Sequence, residues 1–170
     1  MSVHPDEPSM RLDVRLLQSS CVAAYRSVPL LEEDTRWFRE QGYRVVSLDA
    51  AVWSSREDSL RAFGVALDFP DYYGINLDAL NDCLRDVVIS PDSGLVLVLS
   101  SFDLFQEKAG ADFTWNLLDI IATTSRFFLI SGRRLLVLVQ VSDPDWRASP
   151  VGAQPVLWNP REFFDAKRRE

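Results

Sequence analysis

The sequence predicts an α/β fold: a small three-stranded parallel sheet with flanking helices, preceded by an N-terminal α+β extension. Three observations carry this expectation. Two runs, Gly94–Leu99 and Leu135–Val141, are almost wholly apolar, as strands covered on both faces of a parallel sheet are. A third stretch, Tyr43–Leu48, carries the β-branched pair Val45-Val46. Between these runs apolar residues recur at helical spacing, and strands that alternate with helices imply parallel pairing through crossovers of fixed hand.

Taken in order, residues 12–25 read as two short strands, Leu12–Gln18 and Cys21–Tyr25, forming a hairpin at Ser19-Ser20. Pro29 opens a helix that runs to about Gln41, with Leu30, Leu31, Trp37 and Phe38 apolar and Gly42 as its stop. Ser55 and Asp58 resemble a capping box before a helix with Leu60, Phe63 and Leu67 on one face. The loop Asp68–Gly74 leads to Asn76, an N-cap for a helix from Leu77 to about Val88. Phe113, Leu117, Ile120, Thr124 and Phe127 mark a later helix, and residues 142–155 form a proline-containing loop. Asn159-Pro160-Arg161-Glu162 carries cap, proline and acidic positions for a short final helix. The chain therefore divides into an extension (1–42), the α/β domain (43–141) and a C-terminal loop with a short helix (142–170).

Composition removes several kinds of function. The chain has 170 residues, 47% of them hydrophobic and 25% charged, with a formal net charge of −7. A pI near 4.7 opposes general nucleic-acid binding, which needs an excess of Lys and Arg. One histidine, His4, supplies neither a Ser-His-Asp triad nor a His-rich metal site. Cys21 and Cys83 cannot build a zinc knuckle or a disulfide framework, and both read as small core residues. No metal, cofactor, nucleic acid or membrane partner is expected. The absence of an apolar run in Met1–Met10, and of any ~20-residue apolar span, predicts a cytoplasmic protein. The tail Lys167-Arg168-Arg169 reads as a solvated end.

The acid is unevenly placed. Residues 1–89 hold 15 acidic and nine basic residues, a net of −6, and the window 64–92 alone is −5. Within it, Leu77, Leu80, Leu84, Val87 and Val88 form the buried face of the helix after Asn76. Asp78, Asn81, Asp82 and Arg85 fall on the opposite face, with Asp86 at its edge. Asp78, Asp82 and Asp86 stack at intervals of four, which costs a few tenths of a kcal/mol per pair in an isolated helix. Such a face suits a cationic partner, and Tyr72 and Tyr73, expected to be exposed, supply rigid aromatic contacts beside it.

The run Pro70-Asp-Tyr-Tyr-Gly-Ile-Asn-Leu-Asp-Ala-Leu-Asn-Asp-Cys-Leu84 closely resembles the loop-and-helix signature of the barstar family, intracellular inhibitors of small secreted ribonucleases. The order of elements from Tyr43 to Val141 is similar to that family too. The resemblance implies a stoichiometric, immunity-like inhibitor that plugs a basic ribonuclease or toxin-like nuclease with its acidic helix and preceding loop. It implies that Asp82 is the central anchor, meeting arginines and the catalytic histidine of the enzyme. Asp78 would pair with a basic residue at the rim, Tyr72 would pack on the enzyme surface, and Gly74 would allow close approach. Tyr73, Asn76 and Asn81 complete the expected contact set. The chain departs from the family at Asn81, where a tryptophan is frequent, and in the later helix. There an expected acidic residue has no clear match; Asp119 is the nearest carboxylate, and the region near Thr123 is uncharged.

Two other readings stand beside this one. A barstar-like interaction module would use the same face for a partner that is not a nuclease, since fold does not fix function. An enzyme would use Asp78 and Asp82 as a general acid/base pair, but that chemistry needs a cleft to raise one carboxyl. The expectation is therefore a binding protein rather than an enzyme.

Overall fold

A computed structural model describes residues 10–163. Its one sheet has five parallel strands: β1 (Val22–Tyr25), β2 (Arg44–Asp49), β3 (Leu95–Ser100), β4 (Leu135–Gln140) and β5 (Leu157–Trp158), in spatial order β2-β3-β4-β1-β5. The described helices are α1 (Leu12–Ser19), α2 (Val28–Glu40), α3 (Arg56–Ala66), α4 (Leu77–Arg85), α5 (Phe102–Ala109) and α6 (Ala111–Ile130). The three expected strands are β2, β3 and β4, which lie side by side.

The expected sheet of three strands is corrected to five. The far edge of β4 pairs with β1, from Val22 against Val137 to Tyr25 against Gln140. β5 then adds to β1 through Ala23–Leu157 and Ala24–Trp158. The reason is hydrogen bonding: every residue of β4 is buried, and its outer row of N–H and C=O groups needs a partner that water cannot supply. Two-residue β5 is too short to show any periodicity.

Alternate residues along the strands enter two different cores. Leu95, Leu97, Leu99, Val137 and Val139 face α3 to α6, together with Trp53. Val96, Val98, Leu136 and Leu138 face Leu12 and Leu16 of α1 and Leu30, Leu31 and Phe38 of α2. Burial on both sides is why β3 and β4 read as unbroken apolar runs.

The expected hairpin is also corrected: its first half is helix α1. Leu12, Val14 and Leu16 alternate like a strand, but the pair at i and i+4 fits a helix equally well. Leu12, Asp13 and Leu16 are buried while Val14 is 42% exposed, which is the helical pattern. Short α5 escaped the sequence reading. In α6 the expected Phe127 is 47% exposed, and Leu118, Ile121 and Phe128 hold the core instead. The short final element is a 3-10 helix, Pro160–Phe163. His4 and Lys167-Arg168-Arg169 lie outside the described residues.

Two buried polar clusters tie α1 and the segment around Asn159 to the sheet. The Asp13 carboxylate accepts from Tyr43 Oη at 2.6 Å, Arg134 Nη1 at 2.8 Å and the Arg11 guanidinium at 3.1 Å. Burial alone would raise its pKa; hydrogen bonds from Arg11, Tyr43 and the Val14 N–H outweigh it and leave the carboxyl below its ordinary value. Asp34 is treated differently. It accepts from Tyr25 Oη and Asn159 Nδ2, each at 2.8 Å, and from Arg161 Nη1 at 3.0 Å. There burial prevails over the Tyr25 hydrogen bond and the attraction of Arg161, so its pKa is raised. Glu162 closes the strap by accepting the Arg26 and Ser27 N–H groups, both at 3.0 Å, at the start of α2.

Candidate protein-docking site

Helix α3 ends in a Schellman motif: Phe69 N–H donates to Gly64 O at 2.9 Å and Asp68 N–H to Val65 O at 3.4 Å. Asp68 takes the left-handed position, φ 54°, that glycine usually fills. The chain then turns at Pro70–Tyr73, closed by Tyr73 N–H donating to Pro70 O at 2.9 Å. Tyr72 stands at the tip of this turn and is 81% exposed.

A second left-handed residue, Ile75 at φ 46°, leads into α4. Asn76 caps that helix: its Oδ1 accepts the Ala79 N–H at 2.8 Å and its Nδ2 donates to Gly74 O at 3.1 Å. A β-carbon added at Gly74 would lie 3.2 Å from that Nδ2, so the glycine keeps room for the cap. Leu80, Cys83 and Leu84 bury one face of α4 against α6 and α3. Asp78, Asp82, Arg85 and Asp86 are exposed on the other, with Asn81 half-buried. The helix ends at Arg85, a turn before the expected Val88, through tight bonds from Asp86 N–H to Cys83 O and from Val87 N–H to Leu84 O.

The carboxylates of Asp78, Asp82 and Asp86 make no hydrogen bond or ion pair with any described residue. Their field reaches Cys83, whose thiol is pushed up first by burial and then by Asp86 and Asp82. Both cysteines are free and buried, as small core residues are. Neither Asp78 nor Asp82 lines a cleft of about 340 Å³ that lies between α5, α6 and the Trp146–Ser149 loop.

The structure thus brings Tyr72, Gly74, Asn76, Asp78, Asn81 and Asp82 onto one continuous loop-and-helix surface. Tyr73 departs from the expectation of an exposed contact. It turns inward, meets Phe69 edge-on at 4.9 Å between ring centroids, and has a buried hydroxyl. Burial, then nearby Cys83, push its phenol up to about 12. The sequence gives no sign of this difference between the two rings, because Tyr73 is turned inward by packing against Phe69 and α3.

Two neighbours were missed by sequence reasoning. The Arg85 guanidinium sits 5.6 Å from the Phe127 ring centroid, so α6 flanks the acidic face with an aromatic ring rather than a carboxylate. Asp119, the nearest acidic residue in the sequence, instead accepts the Gly152 N–H at 2.8 Å. Gly64, under the Tyr73 ring, is the other.

Comparison with known proteins gives the following. A family model described as "Barstar (barnase inhibitor)" matches residues 43–140. A Bacillus subtilis (strain 168) protein described as "Putative ribonuclease inhibitor YrdF" is 53% identical over 45 residues. That match covers 26% of this chain and spans 46% of the relative's length. Among solved structures, the Aeropyrum pernix ORC2 protein (ADP form) is similar with a TM-score of 0.52 and 20% identity, over 77% of this chain and 38% of that one. This last likeness is one of fold.

Proposed function

From the premise that this chain belongs to the barstar family, we propose that it is a stoichiometric inhibitor of a basic ribonuclease, blocking the enzyme's active site with α4 and the loop before it. The observation that carries this reading is the set of carboxylates Asp78, Asp82 and Asp86, which no described residue pairs, beside exposed Tyr72. An enzyme that binds RNA presents desolvated cations, and carboxylates in the place of phosphates satisfy them with charge-assisted hydrogen bonds. Asp82 is the central anchor, Asp78 pairs at the rim, Tyr72 packs on the enzyme surface and Asn81 lies at the edge of the contact. Asn76 and Gly74 shape the surface from below, and Tyr73 supports it. No catalytic step is assigned to the chain. The inhibitor acts in the cytoplasm, as immunity to a nuclease that the same cell makes or meets.

The test is direct. Purified protein is added in molar excess to barnase and a panel of guanyl-specific ribonucleases, and RNA cleavage is followed. Loss of cleavage at one-to-one stoichiometry is the expected result. Full activity across the panel would favour the second reading, an interaction module with a partner that is not a nuclease. Phe127 favours that alternative to a degree, because it makes the α6 flank aromatic where the family resemblance implies a carboxylate.

A further inference from the structure

Gly64 lies in the last turn of α3, at a position where alanine is the better helix former. Two contacts account for a glycine there. Its carbonyl accepts the Phe69 N–H at 2.9 Å and so holds the first residues of the loop. Its α-carbon lies against the Tyr73 ring: an added β-carbon would stand 2.9 Å from Tyr73 Cδ1 and 3.0 Å from Cε1, with Phe69 Cδ2 at 3.8 Å. Real side chains do not tolerate the first of these distances, so any larger residue must move the ring.

The ring is held by shape. Its buried hydroxyl has no hydrogen-bond partner among the described residues, while its face and edge meet Gly64 and Phe69. The loop it serves is strained at both ends, by Asp68 at φ 54° and β-branched Ile75 at φ 46°. Non-glycine residues stay in that region only where the surrounding packing over-determines them. Tyr73 is the inward member of the loop's aromatic pair, and its N–H closes the turn that projects Tyr72.

We propose that Gly64 is a positioning residue of the docking loop: by leaving space for the Tyr73 ring, it fixes the turn that presents Tyr72 to the partner. Its effect on affinity rests on the inhibitor reading above; its effect on the loop does not. The experiment therefore has two arms, on the full chain, with Gly64→Ala, Tyr72→Ala and the double variant. In amide hydrogen exchange of the free protein, the Phe69 and Tyr73 amides of Gly64→Ala, which are hydrogen-bonded in the loop, are expected to exchange about tenfold faster while β3 and β4 keep their protection. Tyr73→Ala, which empties the same contact from the other side, reproduces that pattern. In barnase titration, Gly64→Ala is expected to weaken binding about tenfold in the wild-type background and not at all in the Tyr72→Ala background. A general loss of stability would lower affinity in both backgrounds alike. Equal losses in both, or loop exchange that does not change, overturns the positioning role. If wild-type protein leaves barnase fully active, that failure belongs to the inhibitor reading, and the exchange arm alone decides whether Gly64 holds the loop.

Discussion

Asp13 and Asp82 are both aspartates on short helices, and the chain uses them in opposite ways. Asp13 is fully buried and receives hydrogen bonds from Arg134, Tyr43 and Arg11. Asp82 is exposed and receives none from any described residue. The same contrast extends to their surroundings. The α1–α2 side of the sheet also holds Asp34 among Tyr25, Asn159 and Arg161, whereas α4 presents three carboxylates with only Arg85 among them. Charge on the first side is satisfied within the fold, so it fixes α1 and the segment around Asn159 against the sheet. Charge on the second is left, among the described residues, for the cationic partner proposed above. A negative charge alone therefore does not identify a docking surface; what supports that reading is the grouping of three such carboxylates on one helix face beside exposed Tyr72.

The sharpest test of this contrast is Asp13→Ala. Removing the buried acceptor leaves the Tyr43 hydroxyl without its partner, while the more exposed Arg11 and Arg134 heads can turn to water; unfolding free energy is expected to fall by about 1–3 kcal/mol in urea titration, with the ribonuclease affinity of the folded fraction unchanged. Asp82→Ala should do the reverse. Its affinity for the ribonuclease falls by about 2–5 kcal/mol in titration calorimetry. Its unfolding free energy stays within about 0.5 kcal/mol of wild type, because an exposed, unpaired side chain contributes little to the fold. Stability losses of similar size for both variants would erase the distinction.

Smaller effects sharpen it. Asn159→Ala removes the donor that Tyr25 and Asp34 share and is expected to cost about 1–3 kcal/mol of stability, measured by thermal or urea unfolding. The two buried aspartates also predict opposite pH behaviour. Asp13 has a folded pKa below the ordinary value of 3.8, so its stabilisation is present above that value and is lost as pH falls through the folded pKa. Asp34 has a folded pKa above 3.8, so the folded state binds the extra proton and stability declines as pH rises through that raised value. Unfolding midpoints across the acid range should accordingly lose their acid limb in Asp13→Asn and flatten above pH 3.8 in Asp34→Asn. The least effect is expected for Asp68→Asn, a rim change that keeps a side chain tolerant of the left-handed backbone. Its affinity should stay within about 0.5 kcal/mol, which isothermal titration can resolve against Asp82→Ala.

How much of this was legible beforehand differs by element. β3 and β4 announced themselves because burial on both faces leaves no polar alternation. The Ser55 and Asn76 caps were readable because each bonds a backbone N–H three residues away, Asp58 at 3.1 Å and Ala79 at 2.8 Å. α1 was misread since Leu12 and Leu16 satisfy both periods, and only the burial of Asp13 with the exposure of Val14 separates them. Tyr72 and Tyr73 both read as exposed contacts, while the inward turn of Tyr73 brings it against Gly64 and Phe69, outside its own turn.

By itself, then, the sequence determined what depends on neighbours a few residues apart: the parallel-sheet strands, the caps, the acidic face of α4 and the loop-and-helix signature of the family. The tertiary structure alone decided the five-stranded width of the sheet, the burial of Asp13 and Asp34, the inward turn of Tyr73 and the aromatic flank at Phe127. Each of these rests on contacts between distant parts of the chain, such as Tyr25 with Asn159 or Asp13 with Arg134. Periodicity records which face a residue occupies within its own element. It carries no record of what the rest of the chain places against that face, and that is what separates a carboxylate consumed by folding from one left for a partner.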